Sequence, residues 1–146
     1  MLRARGNKLE VLVLVLGNTM KRGSTMPVEL TKESFEPTVL GEGIVFVDFW
    51  AGWCGPCMAF APVYDAAAEA NEDILFAKVD TEAEQALAQE AGIMSIPTLM
   101  VFRDGILLYR EAGALPAASL DSLIEQIKNL DMDAVRSDIA AKDQPS

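Results

Sequence analysis

Two cysteines three positions apart are the residues of this chain that most clearly predict a chemistry. Cys54 and Cys57 are its only thiols, and they directly follow an apolar run typical of a buried strand. A helix is predicted to begin at this pair, and the unpaired N–H groups of its first turn would favour the thiolate of Cys54. That thiolate would attack a substrate disulfide. Cys57, expected to be the more shielded thiol, would then resolve the mixed disulfide by exchange.

A cysteine pair of this spacing has two further interpretations: half of a zinc site that a second chain completes, or a pair with no chemical role. The sequence contains no histidine and no other cysteine. By itself the chain therefore cannot provide a four-thiolate zinc site, a metal site with histidine ligands, or Ser-His-Asp or Cys-His catalysis. We predict that it binds no metal and no cofactor.

Two charged residues interrupt runs that are otherwise apolar. Asp48 lies six residues before Cys54, and a buried carboxylate requires a partner or a raised pKa. Beneath the thiol pair it would accept the proton of Cys57 as a general base. The alternative is an aspartate at a strand edge that reaches water. Lys78 could be the matching charge, or its side chain could extend to the surface.

The pattern of apolar and turn residues predicts the elements that position this pair. Their order is helix, strand, helix, strand, helix, hairpin, helix, which is typical of an α/β fold with helices on both faces of a mixed sheet. Asp104-Gly105 between two apolar runs predicts the hairpin turn, and Pro62 lies inside the helix that follows the cysteines. The predicted elements cover residues 31–40, 44–50, 57–71, 74–80, 82–91, 98–110 and 120–130.

The charge of the chain is unevenly distributed. Its 146 residues fit a single domain, with 51% apolar and 23% charged residues. The first 25 residues carry five basic and one acidic side chain, a net charge of +4; since the total is −10, the other 121 residues carry −14. Phosphate backbones and anionic lipids would repel this acidic part, so we expect neither nucleic-acid nor membrane binding.

Residues 1–26 differ from the rest of the chain. The apolar run at residues 11–16 follows basic residues, as in a signal peptide, but it is too short for a typical signal peptide or for a membrane span. Three interpretations stay open: a mis-called start with Met20 or Met26 as the first residue, a disordered extension, and a degenerate export signal.

The segment from Val47 to Cys57, which includes Trp-Cys-Gly-Pro-Cys, resembles the active-site segment of the thioredoxin family. Further landmarks follow in the same order as in that family: Pro62, Ala77-Lys78-Val79-Asp80, Ile96-Pro97-Thr98, Asp104-Gly105 and Gly113-Ala114. The resemblance covers residues 27–130. It implies a thioredoxin fold, with four helices around a mixed central sheet and a first strand near residues 28–31. Residues 1–26 would then be an N-terminal extension, and residues 131–146 a helical C-terminal extension with a frayed tail.

The resemblance also implies a role for each site residue. Cys54 would be the exposed nucleophile, Cys57 the resolving thiol, Asp48 the buried proton acceptor and Lys78 its charged neighbour. Pro97 would be a cis-proline facing the disulfide, beside backbone that pairs with substrate like an added strand. Met58 stands where many relatives carry a basic residue. The flat apolar docking surface would consist of Trp53, Gly55, Pro56, Ile96, Gly113 and Ala114, and Phe49 and Trp50 would serve packing.

By this resemblance the chain is a cytoplasmic protein-disulfide reductase, an electron carrier that works by dithiol–disulfide exchange. Its partners would be client proteins with disulfides and thioredoxin reductase, a flavoprotein that recycles it with NADPH, and we expect a monomer. Two alternatives stay open. One is an exported or membrane-tethered oxidase or isomerase with the same fold, and the other is a non-enzymatic binding subunit that uses the fold as a scaffold.

Overall fold

The computed structural model describes residues 26–143. In chain order, the elements of this part are β1 (Val28–Glu29), α1 (Lys32–Val39), β2 (Ile44–Trp50), α2 (Gly55–Ala70), β3 (Leu75–Asp80), α3 (Gln85–Glu90), β4 (Thr98–Arg103), β5 (Ile106–Ala112), α4 (Ala117–Lys128) and α5 (Met132–Asp143).

The strands form one mixed sheet in the order β1-β3-β2-β4-β5. Strand β3 pairs in parallel with both β1 and β2, whereas β4 runs antiparallel to both β2 and β5. Strand β2 therefore lies at the centre of the sheet, and every residue between its two ends is buried. This is the environment that its nearly unbroken apolar run predicts.

Helices cover both faces of the sheet, which confirms the predicted fold class. One apolar core lies between the sheet and helices α2 and α4, around Phe46 and Tyr64. The other lies between the sheet and helices α1 and α3, around Phe49 and Leu87. Because side chains alternate between the two faces along a strand, Asp48 points to the same side as Phe46, toward α2.

The predicted hairpin and the helix after the cysteines are confirmed. Strands β4 and β5 are joined at Asp104 and Gly105, whose φ angles of 53° and 81° are the positive values that a two-residue Asp-Gly turn requires. Helix α2 begins at Gly55, two residues earlier than predicted, because Cys54 is its N-cap and Pro56 fits the first turn.

Helix α3 is shorter than the predicted segment 82–91. The carboxylate of Asp80 accepts hydrogen bonds from the backbone N–H groups of Glu82 (2.9 Å) and Ala83 (3.4 Å). Bonds from a side chain to the following backbone compete with helix formation. Residues 81–83 therefore form a turn, and the helix begins only at Gln85.

Helix α5 is an addition to the four helices that the resemblance implies. The carboxylate of Asp131 accepts a hydrogen bond from the N–H of Asp133 in its first turn, and Met132 is buried. Arg136 bonds to Asp104 at the hairpin turn, with 3.3 Å between the charged atoms. These contacts attach α5 to the body of the protein. The predicted extension up to residue 25, and residues 144–146 of the predicted frayed tail, lie outside the described residues.

Candidate active site

The two cysteines form a disulfide at the point where strand β2 leads into helix α2, with 5.2 Å between their Cα atoms. Cys54 is the N-cap of the helix, and its sulfur accepts a hydrogen bond from the backbone N–H of Cys57 at 3.2 Å. The exposed fraction is 4% for Cys54 and 1% for Cys57. The expectation of an exposed Cys54 is therefore wrong for the oxidised pair: both cysteines pack in an apolar cluster with Ala51 and Ile96.

The segment before β4 lies directly against the disulfide. The Ile96–Pro97 peptide bond is cis, as the resemblance implies. The carbonyl oxygen of Ile96 is 3.8 Å from the sulfur of Cys54. Two hydrogen bonds hold this segment in place: the N–H of Gly113 donates to the carbonyl of Pro97 at 2.7 Å, and the hydroxyl of Thr98 donates to the carbonyl of Ser95 at 2.6 Å.

A groove of about 490 Å³ opens beside the disulfide. Trp53, one of its walls, is 71% exposed and its indole N–H donates to the carboxylate of Glu82 at 3.2 Å. Cys54 borders the groove, and Cys57 does not. Gly113 and Ala114, which the resemblance also assigns to docking, are not among the groove residues. The full lining is Trp53, Cys54, Gly55, Pro56, Thr81, Ala88, Ile93, Met94, Ser95 and Ile96.

Met94 is a groove residue that the sequence analysis missed. Its side chain is 93% exposed, and it stands three residues before Pro97. The segment that carries it is fixed by Arg110 on β5, whose guanidinium donates to the carbonyls of Ala91 (2.7 Å) and Gly92 (2.6 Å). An exposed apolar residue between a helix end and a proline was the available signal, but only the fold shows that it lines the groove beside the disulfide.

Asp48 is buried beneath this site, on the face of β2 that α2 covers. Its exposed fraction is 1%, and neither of its carboxyl oxygens has a hydrogen-bond partner within residues 26–143. Burial raises the pKa of Asp48 from 3.8 to about 7, against the lowering effect of the Lys78 ammonium, and Glu29 and Asp65 raise it further. The carboxyl can therefore gain or lose a proton near neutral pH.

Lys78 lies directly opposite Asp48 in the register of β3 and β2. Its ammonium does not form a salt bridge with Asp48; it stands 4.5 Å from the centre of the Trp50 ring, a cation–π distance. Lys78 is half-buried. It therefore fits neither alternative considered from the sequence, which were a charge paired with Asp48 and a side chain that extends to the surface. The ring of Trp50, which the resemblance assigns to packing, also contacts the lysine ammonium.

Two further observations concern the described part of the chain as a whole. Within the part of the chain that the structure describes, no His, Cys, Asp or Glu residues group as a metal site would require. The helices of that part are also too short or too polar to span a bilayer.

Comparisons with known proteins agree with this geometry. The family model for thioredoxin matches residues 26–126. The protein named "Putative thioredoxin 2" of Streptomyces coelicolor is 55% identical over 116 residues, covering 80% of this chain and 87% of that protein. The thioredoxin of Bacillus subtilis is 38% identical, covering 68% of this chain and 95% of its own length. Among solved structures, a mutant thioredoxin from Halobacterium salinarum superposes with a TM-score of 0.67 at 31% identity, covering 73% of this chain and 95% of that one.

The matched region contains strand β2, the cysteine pair, the cis-proline and most of the elements around them. Membership of this family implies client proteins that contain disulfides and a reductase partner. The chain belongs to the thioredoxin family, and its Cys54–Cys57 pair makes it a protein-disulfide reductase.

Proposed function

We propose that Cys54 is the attacking thiol and Cys57 the resolving thiol of this reductase. The thiolate of Cys54 attacks a client disulfide, so that a mixed disulfide forms and one client thiolate leaves. The thiol of Cys57 then loses its proton and attacks the Cys54 sulfur, which releases the second client thiolate and forms the Cys54–Cys57 disulfide. Two electrons pass from the pair to the client. The observation that carries this assignment is that Cys54 borders the groove and Cys57 does not.

Asp48 is the proton acceptor for Cys57 in this proposal. A general base works best when its pKa is close to the working pH, and the pKa of Asp48 is raised to about 7, chiefly by burial. Its oxygens are not held by other hydrogen-bond donors within residues 26–143, which leaves them free to accept the proton. Lys78, opposite Asp48, limits how far burial raises that pKa.

Clients dock on the apolar groove beside the disulfide. Trp53, Gly55, Pro56 and Ile96 line it, and an extended client segment adds to the backbone around Pro97 as a strand would. Gly113, whose N–H donates to the carbonyl of Pro97, and its neighbour Ala114 extend the docking surface beyond the groove. Most of the residues that line the groove are apolar, which favours clients with apolar residues next to their disulfide.

A flavoprotein thioredoxin reductase that uses NADPH recycles the oxidised pair, and the protein itself holds no cofactor. We place it in the cytoplasm as a monomer, with residues 27–130 as the thioredoxin domain. Its net charge of −10 argues against nucleic acid and anionic membranes as partners.

Two measurements test this function. Cys57→Ser should accumulate a mixed disulfide with a disulfide-containing substrate, seen by intact mass, whereas the matched Cys54→Ser variant should form none. The pair, equilibrated against a dithiol buffer, should have a reduction potential of about −270 mV, the general value for thioredoxin. Absence of the adduct would refute the assigned roles. A potential near or above about −180 mV would indicate an oxidase or isomerase instead.

A further inference from the structure

Three charged residues on neighbouring strands stand at matching positions of the sheet. Glu29 of β1 is the register partner of Lys78 in β3, and Lys78 is the register partner of Asp48 in β2. Residues directly opposite each other point to the same face of a sheet. Glu29, Lys78 and Asp48 therefore form one transverse row, here called the charge row, on the face that α2 covers.

The charge row runs from solvent into the interior. Glu29, on the edge strand, is exposed, Lys78 is half-buried and Asp48 is buried. The lysine is thus placed between two carboxyl groups that compete for it. Its ammonium stands 4.5 Å from the centre of the Trp50 ring. Within residues 26–143 it forms a salt bridge with neither carboxyl group. Asp48 is left with unpartnered oxygens in the described part of the chain.

We propose that Glu29 is a positioning residue: its negative charge attracts the Lys78 ammonium toward the outer end of the charge row, and so controls when Asp48 takes up a proton. This inference rests on the proposed role of Asp48 in the resolving step. Glu29 acts on Asp48 in two ways that have the same sign. Its negative charge repels the Asp48 carboxylate directly, and it reduces the stabilisation that Lys78 gives to that carboxylate.

Charges from the other elements that pack against Asp48 are few. Helix α2 brings Asp65, which also raises the pKa of Asp48. It also brings Tyr64, whose hydroxyl donates to the carbonyl of Ala77 at 2.8 Å and whose pKa is raised by burial, so that it stays neutral. Strand β4 places the apolar Leu99 opposite Asp48. Glu29 and Lys78 therefore dominate the part of this field that comes from the sheet.

Removing the charge of Glu29 should lower the pKa of Asp48. Two strand spacings separate the residues, roughly 10 Å. Coulomb's law at that separation, with an effective dielectric constant between about 20 and about 80, gives a shift between about 0.3 and about 1.2 pH units. Inward movement of Lys78 would add to this direct effect. The resolving step of the Glu29→Gln variant should therefore reach its full rate at lower pH.

The test compares Glu29→Gln with Glu72→Gln. Glu72 is also exposed and its replacement removes the same charge, but it precedes β3 and is separated from Lys78 by the first half of that strand. The carboxyl carbon of Asp48 is followed by NMR through a pH titration of the oxidised protein, and resolution is followed by stopped flow after a mixed disulfide has formed. We expect a lower midpoint in both experiments for Glu29→Gln, and midpoints within about 0.1 unit of the unmodified protein for Glu72→Gln.

A shift in Glu29→Gln no larger than that in Glu72→Gln would overturn the proposal. Glu29→Asp, which keeps the charge, should restore most of the original midpoint. In a Lys78→Met background the effect of Glu29→Gln should shrink, because only direct repulsion remains; an unchanged effect would overturn the role of Lys78. The NMR titration of Asp48 does not depend on turnover. If the protein failed to reduce disulfides, the proposed function would be refuted, but the effect of Glu29 on the titration midpoint of Asp48 could still be measured.

Discussion

Replacing Asp48 by asparagine should stabilise the fold above neutral pH, and this prediction follows from burial alone. In the unfolded chain the carboxyl ionises with its usual pKa of 3.8, whereas in the folded protein its pKa is about 7 because burial disfavours the charge. A group whose acidic pKa is raised by folding binds its proton more tightly in the folded state. Stability is therefore lost as the pH rises from about 4 to about 7. Asparagine is nearly isosteric with the protonated form and does not ionise.

The size of the effect follows from the difference between the two pKa values. About three pKa units at 1.36 kcal/mol each give about 4 kcal/mol of lost stability at pH 8. At pH 4 the folded carboxyl is protonated and only about half of the unfolded chains are ionised, so the loss is about 0.5 kcal/mol. Asp48→Asn should therefore gain about 4 kcal/mol over the unmodified protein at pH 8 and little at pH 4.

Urea denaturation of the oxidised protein at a series of pH values measures this difference. Asp121→Asn is the matched control, since Asp121 is exposed on α4 and its replacement removes one negative charge without changing the interior. The two variants should differ little at pH 4 and by several kcal/mol at pH 8. Parallel stability curves for Asp48→Asn and the unmodified protein, or a gain no larger than that of Asp121→Asn, would refute the reasoning.

Three further predictions concern the groove and helix α5. Met94→Glu should raise the KM for a protein disulfide roughly tenfold, which corresponds to about 1.4 kcal/mol of docking energy, and should leave the reduction potential unchanged. Met94→Leu keeps the side chain apolar and is the control in the same kinetic assay. Arg110→Ala removes two hydrogen bonds to the groove segment, so thermal denaturation should show a loss of about 1 kcal/mol and steady-state kinetics a higher KM. Arg136→Ala, which breaks an exposed ion pair with Asp104, should cost less than about 1 kcal/mol by denaturation and leave turnover unchanged.

Elements with a strong local signal could be predicted from the sequence. The apolar run of β2 was predicted at residues 44–50 and is found there. The Asp104-Gly105 turn was predicted because few other dipeptides adopt two positive φ angles at low cost. The late start of α3 could not be predicted, because it depends on a hydrogen bond from the Asp80 side chain that competes with a sequence otherwise able to form a helix.

Within the site, residues that act through neighbours on the chain were easier to predict than those that act across strands. Cys54 and Cys57 are found at a helix start because the strand and the helix around them are local features. The contact between Lys78 and Trp50 and the register position of Glu29 depend on how β1, β3 and β2 pair, which no local pattern contains. Parallel pairing joins residues that lie far apart in sequence, so such contacts require the fold.

The same ionisation of Asp48 lowers the stability of the fold and allows the residue to act as a base in the resolving step. Burial raises its pKa to about 7 and so destabilises the folded protein as the pH rises from about 4 to about 7. The same raised pKa gives the carboxyl the basicity that the resolving step needs. An aspartate with a pKa of 3.8 would cost almost nothing, but it would be a poor acceptor for a thiol proton. If Asp48 is the base, two pH values should coincide near pH 7. One is the pH at which Asp48→Asn approaches its full stability gain, and the other is the midpoint of the pH dependence of the resolution rate. Glu29→Gln should then move both to lower pH together.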